Sequence, residues 1–392
     1  MLRGDAKSAD EVASTTPLIA QKVTDDNVLQ ALEEKWTVIA ENDRPEDIKP
    51  ANLYERFVFA MIRDPRDLKV FNLAFRGLLT VVPSAALLIF WRFSWIQAIV
   101  HIFFVASIAE IYTLALHVSS HRPLFKPQFQ LCNHIIPVVL GPFFGQTWYT
   151  YYWHHVKMHH PTDNSPEDLS TTLFYQRDSL IGFLHYFLSF YFGGMFTLSN
   201  FFYQRRRTDV AIGIILGELG VFALYTVGTL LAPSVWSAAF VFYIPFNLVR
   251  FGMMQGNFVQ HAFLERSDPL GGGRENSITI IASDYNKNCY NDGYHASHHL
   301  NAIRHWTEHP REFITKRLEY HQEKAVVFQG TNYAEVWWFL MTKDYQGLAK
   351  KWVHCGDGTR PSDEKIVSLL KEKTLRFTPQ QLETIYANKS KK

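Results

Sequence analysis

The chain of 392 residues holds 17 histidines, and more than half of them stand in tight groups. His117 and His121 form one. His154, His155, His159 and His160 fall within seven residues, and His295, His298 and His299 make a third. A lone histidine is usually a surface or core residue. Three clusters separated by long apolar segments point instead to metal ligation. On a helix, residues i and i+4 share a face. His117 and His121 therefore aim two imidazoles at one point, and His155 and His159 stand in the same relation. His160 addresses a neighbouring point about 100° round the helix. His295 and His298, three apart, also share a face, with His299 beside them. Imidazole suits iron, zinc, copper and nickel. Eight such histidines exceed what one four- or six-coordinate ion needs and predict two metal ions. His155 is preferred to His154 as the first ligand of the second cluster, because it precedes His159 by four.

The elements that must position these clusters are apolar. Aromatic residues make up 15% of the chain, with 31 Phe and 10 Trp. Apolar runs edged by aromatics indicate a membrane protein, and a span needs about 20 such residues. Four runs qualify: 71–91, 96–116, 210–231 and 236–254. Short turns at 92–95 and 232–235 make two hairpins of them. Residues 180–202 read equally as a span or as an amphipathic helix at the interface. Residues 131–145, short and broken by Pro137 and Pro142, read as re-entrant or interfacial. Lys and Arg favour the cytoplasmic side. The basic clusters at 63–69, 122–126 and 205–207 share one face in the two-hairpin arrangement, together with both termini and all three histidine clusters. The expected fold is thus all-α: an integral membrane protein of four transmembrane helices in two hairpins, with a cytosolic metal-binding helical cap. Residues 1–70 form a cytosolic lead-in with a surface helix over 28–39 and an interface helix over 52–62. Residues 71–310 carry the membrane and metal domain, and 311–392 a charged cytosolic tail, partly helical or mobile.

Net charge is only +2, and no long run interleaves basic and aromatic residues, which excludes nucleic acid as a partner. Cys132, Cys289 and Cys355 lie far apart with no CxxC spacing, so neither a disulfide framework nor a zinc finger is expected. The polar N-terminus lacks the pattern of a cleaved signal peptide.

HxxxH, HxxxHH and HxxHH, in this order and separated by an apolar hairpin, resemble the three histidine boxes of the membrane fatty-acid desaturase and hydroxylase superfamily. The resemblance covers roughly residues 70–310. It implies four membrane helices and a cytosolic cap with two non-haem irons that activate O2. Asn257–Phe–Val–Gln–His261 follows the fourth apolar run and resembles the Asn-x-x-x-His of acyl-CoA-type desaturases. By that resemblance His261 is a ninth histidine ligand and Asn257 holds a metal-bound water. The second box has three residues before its HH pair, where many desaturases have two and hydroxylase relatives often three. No HPGG haem-binding motif occurs. The resemblance therefore implies an external electron donor, such as cytochrome b5 or ferredoxin with its reductase, and a location in the endoplasmic reticulum. The substrate it implies is an acyl chain on coenzyme A, a glycerolipid or another carrier.

Loss of two adjacent hydrogens gives a desaturase; oxygen rebound gives a hydroxylase. Ligand identity does not separate them. From other classes, a membrane zinc amidohydrolase needs fewer ligands and an open water position, and a non-catalytic metal-binding receptor needs no substrate. Carboxylates often orient metal-bound imidazoles, and Asp163, Glu167, Asp168, Asp284 and Asp292 stand near boxes two and three. Glu110 and Glu218 fall inside expected spans, where a carboxylate is costly. The aromatics at 148–153 suit either an acyl tunnel or interface anchoring. Gly271–Gly272–Gly273 lacks the context of a phosphate loop and reads as a connection.

Overall fold

The computed structural model of the protein describes residues 48–389. The helix expected over 28–39 lies outside them. The first helix, α1, spans Leu53–Met61 and is capped by the Asn52 side chain, which accepts from the Glu55 N–H. Leu53 and Phe57 are 79% and 60% exposed while Val58 is buried. A helix thus stands where one was expected over 52–62, with apolar side chains on its outer face.

Helix α2, Leu68–Phe90, follows a short turn at Pro65–Asp67. Its 23 residues reach about 35 Å, enough for a hydrocarbon core of about 30 Å. Among the described residues four helices are long and apolar enough to cross a membrane, Pro65–Phe90, Leu180–Gln204, Thr208–Leu231 and Val235–Gln260, and the bent pair Trp95–Ala106 and Ala109–His121 passes as a fifth if taken as one span. Leu180–Gln204 is α5, Thr208–Leu231 is α6, and Val235–Gln260 is α7. The run 96–116 is not one straight helix. It forms α3 (Trp95–Ala106) and α4 (Ala109–His121), which meet at 43°. A residue of another helix braces the break. Arg76 of α2 donates to the Ser107 hydroxyl at 2.8 Å, that hydroxyl donates to the Phe104 carbonyl, and the Ile108 N–H turns to Val105. These bonds interrupt the ladder between α3 and α4.

Many outward side chains of these helices are apolar. Phe90, Ile96, Phe103, Phe192, Phe196 and Leu230 are all exposed. A large apolar surface marks a face that meets lipid or protein. Inward, Val81, Tyr112, Leu140 and Phe144 belong to one buried cluster, and Leu88, Val221, Tyr225 and Phe242 to another.

Residues 127–144 form three short irregular helical turns rather than a span. They end at Gly145, whose φ of +69° only glycine adopts freely. A Cβ there would lie 2.8 Å from the Phe246 Cα of α7, so the turn is pressed against that helix.

After α7 the chain forms strand β1 (Thr279–Ile281), helix α8 (His295–Leu300) and helix α9 (His309–Gln322). Strand β2 (Val327–Gln329) pairs with β1 in parallel, Ile280 opposite Phe328. The fold is mostly helical, and this pair is a small addition to the all-α expectation. Helices Tyr333–Thr342 (α10), Tyr345–Lys351 (α11), Asp363–Lys373 (α12) and Pro379–Lys389 (α13) follow. They are packed, not loose. Val336, Leu340, Leu348, Ile366 and Leu370 share a core with Val259, Phe263 and Ile280. Residues beyond 311 thus buttress the end of α7, from which His261 projects.

Candidate metal centre

Four elements bring the histidines together. Helix α4 ends on His117 and His121. The second box lies on a segment wound as a π-helix, Tyr152–His159, continued by His160–Thr162. The His160 N–H bonds the His155 carbonyl, five residues back. His261 caps α7 and the third box forms α8. The entry to α8 is set by local bonds. The Gly293 N–H donates to the Asn286 side chain, its carbonyl accepts from Ile280, and Asn291 donates to the Trp306 carbonyl. The turn before α2 braces this loop from outside. Asp67 bonds both His305 and the Trp306 indole, while Arg66 reaches Glu308.

The nine expected histidine positions fall into two groups. His117, His121, His155, His160 and His298 form one; His159, His261, His295 and His299 form the other. Within each group one nitrogen per ring lies within 4.8 Å of the rest. His117 and His121 share a group, as helix spacing requires. The other pairings differ from expectation. His155 meets His160, with Nε2 atoms 3.1 Å apart, and His159 belongs to the other group. The i→i+5 winding turns residues five apart, rather than four, toward one another. In α8 the pair is His295 and His299, four apart, while His298 faces His117 and His160 at 2.8 and 2.9 Å. His154 stands outside both groups, its ring near Phe190.

Carboxylates fix several rings. His117 Nδ1 lies 3.1 Å from Asp292, His159 Nδ1 is 2.6 Å from Asp168, and His299 Nδ1 is 2.9 Å from Asp163. An Nδ1–H donated to a carboxylate leaves Nε2 as the bare lone pair, and this is how proteins orient imidazole ligands. His261 Nδ1 has the Asn276 carbonyl at 3.3 Å. Burial opposes the charge of Asp168, but His159 and the Ser170 N–H outweigh it and hold the carboxyl below its usual range. Burial and then the bond from His299 act likewise on Asp163, with a net lowering. Both carboxylates are therefore ionised acceptors. Burial, followed by the neighbouring imidazoles, keeps His155, His160, His295 and His298 well below the ordinary histidine value. These rings are neutral, as ligands must be.

The donor set fits metal ions. The Nε2 atoms of His121, His159 and His299 are buried and have no hydrogen-bond partner among the described residues. Orphaned buried nitrogens are costly, and an ion at the centre of each group would satisfy them. Asn257 directs its amide nitrogen to the Tyr186 hydroxyl at 2.6 Å and toward the Ser170 carbonyl at 3.4 Å.

A cavity of about 440 Å³ reaches His117, His155, His295 and Asn257 and runs between α3, α4, α5 and α7. Val105, Leu114, Leu198, Leu248 and Met254 are among its apolar lining.

Of the carboxylates singled out near boxes two and three, Asp163, Asp168 and Asp292 touch rings of the two histidine groups. Glu167 instead pairs with Arg205 at 2.6 Å, and Asp284, 89% exposed, pairs with Lys287. The Asn276 carbonyl and Arg177 were not foreseen. Arg177 is fully buried and gathers the carbonyls of Thr172, Leu173, Ala262 and Lys373, tying the loop after box two to His261's neighbour. A backbone acceptor carries no residue signature, and one arginine among many gives no sign of burial.

No curated protein and no solved structure matches the chain. A family model described as fatty acid desaturase matches residues 93–327, more than half of the 392. That stretch holds both histidine groups, Asn257 and the cavity's principal walls. On these grounds the chain belongs to the fatty acid desaturase family of oxidoreductases.

Proposed function

We propose that the protein is an O2-dependent lipid desaturase with a di-iron centre. The observation that carries this reading is the pair of histidine groups, nine rings in all, at the end of a long apolar cavity. The five-histidine group would hold one iron. The four-histidine group would hold the other, with Asn257 placed to hold a water on it. Two bound irons would supply O2 activation and removal of hydrogen from an unactivated C–H bond.

The chain's own residues do the positioning. Asp292, Asp168 and Asp163 keep His117, His159 and His299 in the tautomer that presents Nε2. Tyr186 fixes the Asn257 amide nitrogen, which leaves its carbonyl oxygen for the centre. The cavity would align the chain past His155 and His295. Removing two hydrogens from adjacent carbons while reducing O2 to two waters consumes two more electrons and two protons. An external donor, cytochrome b5 or ferredoxin with its reductase, would deliver the electrons. The substrate would be an acyl chain on coenzyme A, a glycerolipid or another carrier.

Four membrane spans in two hairpins, α2 with α3–α4 and α6 with α7, accompany this reading, with α5 lying along the interface. Contacts at both ends of α5 support it. Phe183 near its start packs on Trp337 of α10, and Arg205 just past its end pairs with Glu167 beside box two. The histidine cap and both termini would then face the cytosol, from the endoplasmic reticulum membrane.

The test is metal and lipid analysis of the full chain purified from expressing cells. Two irons per chain and a new unsaturated lipid, both lost in His298→Ala, are expected. A new hydroxylated lipid would make it a hydroxylase. One zinc per chain with no oxidised lipid would overturn the reading.

A further inference from the structure

The cavity that touches His117 and His295 also reaches Gln146, Thr147, Glu218 and Arg250. These four are 4%, 3%, 4% and 9% exposed. They come from the turn after Gly145, from the middle of α6 and from the middle of α7. Thr147 donates its hydroxyl to Glu218 Oε1 at 2.6 Å. Arg250 Nε donates to the Gly145 carbonyl at 2.8 Å, and its Nη2 lies 3.7 Å from Glu218 Oε1.

Glu218 and Arg250 both stand inside helices long and apolar enough to cross a membrane. Charges there are costly and commonly line substrate or ion paths. Joining α6 to α7 does not require them, because apolar packing of similar volume holds helices at least as well as a buried ion pair. Nor is the pair saturated. Arg250 Nη1 and Glu218 Oε2 make no hydrogen bond to the described residues, and neither is sealed from the cavity. A plain hydrocarbon laid against them would strip their water and return nothing. A donor and an acceptor side by side match a hydroxyl, the smallest group that can accept from one and donate to the other.

We propose that Gln146, Thr147, Glu218 and Arg250 form a recognition site for a hydroxyl carried on the substrate's chain, away from the reacting carbons. The proposal rests on the reading of this cavity as the substrate's. Ten residues separate Arg250 from Gln260 at the histidine end of α7, a rise of about 15 Å. A hydroxyl held at that depth sets which carbons lie beside the histidines. It also selects the lipid, because a site built to hydrogen-bond a hydroxyl rejects the analogue that lacks one far more strongly than an apolar wall rejects a methylene.

The test is displacement of a fluorescent octadecanoate analogue from the full chain in detergent. The competitors are plain octadecanoate and octadecanoates bearing one hydroxyl at successive positions. At least one isomer is expected to compete about 100-fold better than the plain chain. Glu218→Gln, which keeps the side chain's size, should cut that preference at least tenfold, and Arg250→Met should do likewise. If the second variant does not fold, the first decides. The proposal is overturned if plain octadecanoate competes as well as every isomer, if E218Q keeps the full preference, or if no chain displaces the probe. Iron content of the same preparations reports separately: a hydroxyl preference in protein that takes up no iron would sink the di-iron reading and leave this site standing.

Discussion

Asp168 is the residue whose change tests the two-group arrangement most directly. Its Oδ2 accepts from His159 Nδ1 at 2.6 Å and from the Asn164 N–H at 3.0 Å. Its Oδ1 accepts from the Ser170 N–H at 2.7 Å and the Ser170 hydroxyl at 2.8 Å. Both oxygens are thus fully used. In Asp168→Asn, whichever way the amide turns, its NH2 faces two donors. Kept on the Ser170 side, the amide oxygen leaves NH2 against His159, which must then accept at Nδ1 and carry its proton on Nε2. That tautomer has no lone pair for a metal. Loss of such a partner costs about 10- to 100-fold in metal affinity, or roughly 1.4–2.7 kcal/mol. The loss should fall on the four-histidine group alone, since His159 belongs to it. Asp292→Asn should act on the other group, through His117. The assay is chelator titration with metal counted per chain, alongside thermal unfolding to exclude a collapsed protein. D168N should release one ion at a chelator concentration 10- to 100-fold lower and keep the second. A wild-type release profile for D168N, or loss of the same ion from both variants, would refute the reasoning.

Three further outcomes are expected. Gly145→Ala puts a side chain at φ +69° and its Cβ 2.8–2.9 Å from Phe246 backbone atoms, so it should lose at least ~1–2 kcal/mol; an unchanged Tm in detergent would contradict the close approach. Glu265→Gln strands the Lys373 ammonium, which is 1% exposed and 3.0 Å from the carboxylate, and should destabilise the protein by roughly 3 kcal/mol, read as a lower denaturation midpoint. Protein stripped of metal should weaken as pH falls through about 6.5, because His261, His295 and His298 are held below that value by burial first and by neighbouring rings next. Below that pH the unfolded chain binds more protons than the folded one, so stability falls with pH; an equal denaturation midpoint at about pH 7.5 and pH 5.5 would count against it.

The chemistry-bearing residues were legible because spacing and residue type are properties of sequence. The histidine boxes, Asp163, Asp168 and Asp292 were all nameable. How the rings divide was not, because the division follows the winding of residues 152–159, and no residue type announces a π-helix. The break between α3 and α4 was hidden for a different reason: it is braced by Arg76, a residue on another helix. Glu218 was visible as an expensive carboxylate, but its partner Arg250 lay unremarked in the next apolar run. Only the packing of α6 on α7 shows them as a pair. Backbone acceptors, such as the Asn276 carbonyl under His261, leave no mark on a sequence at all.

The winding of the second box bears on how such motifs are compared. In the third box, HxxHH on an ordinary helix, the first and last histidines serve one group and the middle one serves the other. The second box, HxxxHH, does the same with one residue more, because its hydrogen bonds step back five residues instead of four. The extra residue is taken up as extra girth, and the rings divide between the groups as they do in the third box. Motif length and ligand direction are therefore separable quantities. Two relatives whose boxes differ by one residue can present the same set of nitrogens, and a difference of that kind says nothing about which bond the oxidant breaks. Alignments that force the boxes into a single column count would misplace at least one histidine in three, whereas matching them by facing direction would not.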